Sequence, residues 1–153
     1  MMFAQIEAKI RKAQKTFKQL HYSLEKISIR EFYDCVTGEI FSEDKTTIQD
    51  VLGNEFLIIH ELVEMSELKK MGIEINKRTI MEAPKAMIYT VHFTAMEQEL
   101  NYALLKKDTF YAKIRLWQHK ESVLDDDPNL PEELRPKAEE ILEKYNKLVA
   151  ELT

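Results

Sequence analysis

A chain of 153 residues, 44% hydrophobic and 32% charged, is long enough to bury one core and short for two, so a single domain over 1–153 is expected. A formal net charge of −5 weighs against a general nucleic-acid binder, which would carry a basic excess or a basic face. Three glycines, four prolines and the lack of alternating β-type runs predict long helices with few tight turns: an all-α fold, a single compact bundle of five to seven helices.

The first predicted element is an amphipathic helix over residues 2–27. Phe3, Ile6, Ile10, Ala13, Phe17, Leu20, Leu24 and Ile27 form its apolar stripe, with His21 at the edge. Ser28 and Glu31 make a capping box that opens a second helix, which Gly38 closes. Ile29, Phe32, Tyr33 and Val36 are its expected buried face. Cys35, the only cysteine, reads as a small core residue; it has no partner for an intramolecular disulfide and, with no signal-peptide pattern, points to a reducing cytoplasm. Residues 39–46 read as a loop, and Thr46 or Thr47 then caps a short helical turn ending at Gly53.

Asn54 is placed to cap the helix Glu55–Gly72, EFLIIHELVEMSELKKMG, which Gly72 stops. At about 100° per residue its apolar side chains point in nearly every direction, the pattern of a central buried helix. Charges recur within it every few residues, so no transmembrane helix and no membrane partner are expected. His60, Glu64 and Glu67 fall on one stripe, while Glu55, Ser66, Lys69 and Lys70 form the expected solvent sector. The His/Glu stripe therefore faces other helices, where unpaired charge is costly, and needs a metal, basic side chains or water.

After a linker over 73–78, Thr79 and Glu82 read as another capping box, with Pro84 in the first turn of a helix reaching about Lys107. Thr90, Thr94, Glu97, Asn101 and Asp108 form its polar face. His92 and Glu99 fall on the opposite side, among Ile88, Ala95, Met96 and Ala103. Thr109 is expected to cap the next helix, whose apolar side is Phe110, Ile114 and Trp117, with His119 a surface residue. Asp125, Asp126 and Asp127 lie in an acidic, helix-ending turn, and the last helix, from Pro131 or Pro136, closes the bundle or pairs with a second copy.

A histidine at i and a glutamate at i+4 can present a nitrogen and an oxygen to one divalent ion. Here two helices each bring a histidine and a carboxylate out of an apolar face. Four such ligands suit Zn, Mn, Fe or Ni, and a bound ion would lower the pKa of a coordinated water for hydrolysis.

The segment FLIIHELVE resembles the signature helix of HD-domain metal-dependent phosphohydrolases, and most of all the nucleotide-phosphohydrolase branch, whose signature often reads His-Asp-x-x-Glu. The resemblance implies His60 as a metal ligand and Glu64 as the catalytic carboxylate that positions the attacking water. It also implies His21 as an upstream ligand, Asp125 or a neighbour as a downstream one, and a small phosphorylated substrate. Glu61 stands where the family has aspartate. Glu61, Glu64 and Glu67 also match the first half of the ExxE motif by which MazG-like pyrophosphatases bind Mg, whereas Glu97 and Glu99 have no Asp three residues on.

Two site arrangements thus share His60 and Glu64. One adds His92 and Glu99; the other adds His21, Glu61 and Asp125. The competing class is a non-enzymatic interaction or oligomer-forming protein, in which buried His/Glu pairs fix helix register and the C-terminal helix meets a second copy.

Overall fold

The computed structural model describes residues 2–41 and 46–153, so residues 42–45 of the expected loop lie outside the described residues. Eight α-helices follow in order: α1 (Met2–Gln19), α2 (Ile29–Val36), α3 (Ile48–Leu52), α4 (Glu55–Lys70), α5 (Thr79–Glu82), α6 (Lys85–Leu105), α7 (Thr109–His119) and α8 (Arg135–Leu152). A π-helical turn (Lys120–Asp125) and a 3-10 turn (Glu132–Leu134) join the last two. The described residues contain no strand, so the all-α expectation holds; the count exceeds seven because α5, of four residues, stands as a separate turn.

The helix that is apolar all round lies at the centre, as its pattern requires. Its longest contact is with α6, the other helix that lacks a single apolar stripe. α1, α2 and α3 cover the remaining sides of α4, while α7 and α8 cover α6 and each other. Leu62, Val63, Met65 and Leu68 of α4 are completely buried, each contributing about 1.5–3 kcal/mol of transfer free energy. No described helix is long and apolar enough to cross a membrane.

The caps at Ser28, Thr47 and Asn54 form as expected, the first two as capping boxes with Glu31 and Asp50. Other boundaries differ. α1 stops at Gln19 rather than Ile27, because His21 takes φ +56° and Tyr22 N–H bonds back to Phe17 O at 3.0 Å, a Schellman ending. The segment beyond it runs extended over α4 and buries Ser66, whose hydroxyl accepts from Glu25 N–H at 2.9 Å; Ser66 is thus not a solvent residue. Thr79 makes no capping box, since its hydroxyl bonds Glu74 O and Asn76 N–H instead, and Pro84 precedes α6 rather than entering it. Asp108, not Thr109, caps α7 by accepting from Tyr111 N–H. The polar face of α6 is partly covered by α8, where Tyr145 bonds Asn101 and Lys137 pairs with Glu97.

Candidate metal centre

His60 and Glu64 lie one turn apart on α4 and face His92 on α6 across the central helix pair. His60 Nε2 is 3.2 Å from His92 Nδ1 and 3.4 Å from Glu64 Oε2, and His92 Nδ1 is 3.2 Å from the same Glu64 oxygen. The three atoms form a nearly equilateral triangle. Its corners stand about 1.9 Å from its centre, so an ion about 0.9 Å out of the plane would lie about 2.1 Å from all three, the length of a zinc–nitrogen or zinc–oxygen bond. Among the described residues this is the one group of three His, Cys, Asp or Glu side chains brought together in this way.

The triangle is buried on one side and open on the other. His60 and Glu64 side chains are 6% and 17% exposed, and that of His92 is 26% exposed, so solvent reaches the group along His92.

Behind His60 stands Glu99, wholly buried, its Oε1 2.7 Å from His60 Nδ1. Its other oxygen takes a hydrogen bond from Tyr111 O–H and, at 2.6 Å, from Arg115 Nε. A second Arg115 nitrogen reaches Oε1 at 3.1 Å, so the guanidinium grips both oxygens. Arg115 and Tyr111 lie one turn apart on α7, which places all three donors to Glu99 on its two flanking helices. Glu99 is therefore a support for the triangle and not a corner of it.

The charges follow from this packing. Burial alone would raise Glu99, but Arg115 and His60 outweigh it and hold the carboxyl at about 2. Burial opposes charge on His60, yet Glu64 and Glu99 outweigh burial and raise the imidazole to about 10. Glu64 is desolvated too, and His60 and then His92 hold it well below the ordinary carboxylate range. Burial first and Glu99 second push the Tyr111 phenol up, so it remains a donor. With Glu99 accepting at Nδ1, the neutral tautomer of His60 turns its lone pair at Nε2 toward the triangle.

His60, Glu64, His92 and Glu99 come together, the set built from two helices each carrying a histidine and a glutamate. His21 is exposed on the turn after α1 and stands outside the group. Asp125 is an exposed residue of the π-helical turn, bonded to Lys120 at 2.8 Å. Glu61 is half-buried and lies outside the triangle. Glu67 turns toward the chain after α1, taking bonds from Tyr22 O–H at 2.5 Å and Lys70 at 3.1 Å.

No family model, curated protein or solved structure matches the chain. The chemistry of the site is therefore carried by its geometry.

Two expectations need correction. His119 is buried rather than superficial: its Nε2–H donates to Ala138 O at 2.8 Å, because α8 packs over that side of α7. Asp127 is not merely solvated, since it accepts from Tyr89 O–H and from Asn129 N–H. Tyr111 and Arg115 went unread in the sequence. Their signal was indirect: a glutamate on an apolar face requires a cation and donors, and an i, i+4 Tyr/Arg pair on the following helix is a ready source.

Proposed function

We propose that this protein binds a divalent metal ion through His60 Nε2, His92 Nδ1 and Glu64 Oε2, and hydrolyses a small phosphate ester, such as a nucleotide, in the cytoplasm. The observation that carries the reading is the triangle of three donor atoms 3.2–3.4 Å apart, with the far nitrogen of one corner already held by a carboxylate. Two imidazoles and one carboxylate suit Zn, Fe, Mn or Ni better than Mg, which prefers oxygen ligands. Three protein donors leave a coordination position for water, which the ion would acidify. Glu64 is a corner of the triangle and, as a carboxylate, retains a second oxygen that would accept a hydrogen bond from that water and position it.

The phosphate-ester substrate follows from the resemblance of FLIIHELVE to the HD-domain signature. The ligand set favoured here departs from that family, because His92 and Glu64 take the places expected for Glu61, His21 and Asp125.

Titration calorimetry with Zn, Mn, Ni and Fe on the wild type, His92→Ala and Glu64→Gln tests the site. One ion per chain, lost in both variants, is expected; no binding to the wild type would sink the proposal. A panel of nucleotides and phosphomonoesters, assayed with the metal that binds, tests the reaction.

One observation favours a second reading. His60 as an imidazolium between Glu99 and Glu64 is satisfied without any ion, and in that state it would fix the register of α4 on α6. The calorimetry separates the two, since a purely structural clamp binds no metal.

A further inference from the structure

The inner and outer sides of α7 differ sharply. Ala112, Leu116 and His119 are buried against the bundle, and Tyr111 and Arg115 reach Glu99. The apolar stripe Phe110, Ile114 and Trp117 points the other way: Phe110 is 75% exposed, Trp117 63% and Ile114 39%. We infer that this stripe is the contact surface for a second copy of the same chain, two α7 helices meeting antiparallel about a two-fold axis near Ile114.

Area supports a protein partner. With an aromatic side chain at about 200 Å², the three residues leave on the order of 350 Å² of apolar surface in water. One side of a standard interface contributes about 800 Å², a little over half of it nonpolar. Two aromatics and an isoleucine on one stripe thus supply most of the apolar part of such an interface. They are also the residue types that anchor one.

Self-complementarity supports a second copy. In an antiparallel pair centred near Ile114, Phe110 of one protomer comes opposite Trp117 of the other. Lys107 lies in the turn before α7 and Glu121 in the π-helical turn after it, one at each end of the stripe. The same two-fold axis sets Glu121 of each protomer opposite Lys107 of the other. Lys107 is exposed and Glu121 half-buried beside Lys120, whose ammonium pairs with Asp125, so the two opposite charges can reach the contact. An isologous contact needs this arrangement, in which each half of the stripe complements the other. The proposal does not depend on the metal site.

The single tryptophan lies on the surface and reports on it. Sedimentation and Trp117 emission of the wild type should be followed from about 1 to 100 µM. The expected result is a doubling of mass accompanied by a blue shift. Phe110→Glu should weaken association at least tenfold while metal affinity and helicity stay those of the wild type. Glu121→Lys and Lys107→Glu should each weaken it, and the double exchange should restore it.

A wild type that keeps the mass of one chain throughout would overturn the proposal. So would a dimer indifferent to Phe110→Glu, which would place the contact elsewhere, for instance on α8. A blue shift seen only with anionic phospholipid vesicles, the mass of the free protein remaining that of one chain, would overturn it in favour of a membrane surface.

Discussion

Glu99 Oε1 lies 2.7 Å from His60 Nδ1, although the two residues are 39 positions apart, on different helices and buried. The bond orients the imidazole and fixes which nitrogen faces Glu64 and His92. It also places a charged carboxylate where only Arg115, Tyr111 and His60 can satisfy it. Orientation and stability therefore depend on the same residue.

Glu99→Gln separates the two effects. The amide keeps the shape but removes the charge that Arg115 and His60 face. Metal affinity is expected to fall about 10–100-fold, the usual result of losing a carboxylate behind a ligating histidine. Stability is expected to fall by about 3 kcal/mol, because the guanidinium, whose side chain is only 20% exposed, loses its partner. Calorimetry and urea unfolding check the two numbers; an unchanged affinity would show that Glu99 is structural only.

Protons and metal compete for His60 Nε2. The imidazole is raised from 6.5 to about 10, so near neutral pH an ion must displace a proton. Affinity should rise with pH, with about one proton released per ion. Calorimetry in two buffers of different ionisation enthalpy measures that release.

The metal-free protein should show a window of stability with both edges set by this cluster. His60 is raised in the fold, so its contribution is complete below 6.5 and is lost as pH climbs toward about 10. Glu99 and Glu64 are lowered, so theirs is complete above 4.5 and is lost as pH falls, for Glu99 through about 2. Maximal stability is expected between about 4.5 and 6.5. Unfolding midpoints measured at several pH values check it; a flat profile would contradict the ionised cluster.

Two glycines should fail for different reasons. A Cβ at Gly38 would stand 2.4 Å from Lys77 O and 2.8 Å from Asp34 O, backbone atoms that cannot turn away. Gly38→Ala is expected to cost about 3 kcal/mol through overpacking. A Cβ at Gly72 meets nothing within 4 Å, but the residue has φ +83°. Gly72→Ala is expected to cost only about 1 kcal/mol, the penalty of a left-handed alanine. Thermal unfolding of the two variants gives the ranking.

His21→Gly tests whether His21 acts at the site. At φ +56° the glycine is expected to leave stability unchanged or raise it by up to about 1 kcal/mol. Metal affinity should not move. A loss of binding would return His21 to the ligand set.

Helix endings show where reading the chain succeeds. Three helices end in the same way, with a left-handed residue and a bond from the next N–H back to the last turn: at His21, Gly72 and Lys107. Gly72 announces itself, because glycine alone enters that region at no steric cost. The ending at about Lys107 was also legible, whereas nothing at His21 marks a stop, so helix 1 reads as running on to Ile27. Caps at Ser28, Thr47 and Asn54 were legible because a cap is a contact among residues two or three apart.

The site divides along the same line. The all-round apolar pattern of Glu55–Lys70, the His60/Glu64 spacing and the His92/Glu99 pair on a second apolar helix are periodicities, and periodicity is local information. On that basis the all-α class and the two helices of the site follow from sequence alone. That Glu99 stands behind His60 and does not join the triangle, that Arg115 and Tyr111 hold it, and that the Phe110 stripe faces outward all depend on how α7 sits on α6. That rotation is set by packing between helices distant in the chain, and only the tertiary structure decides it.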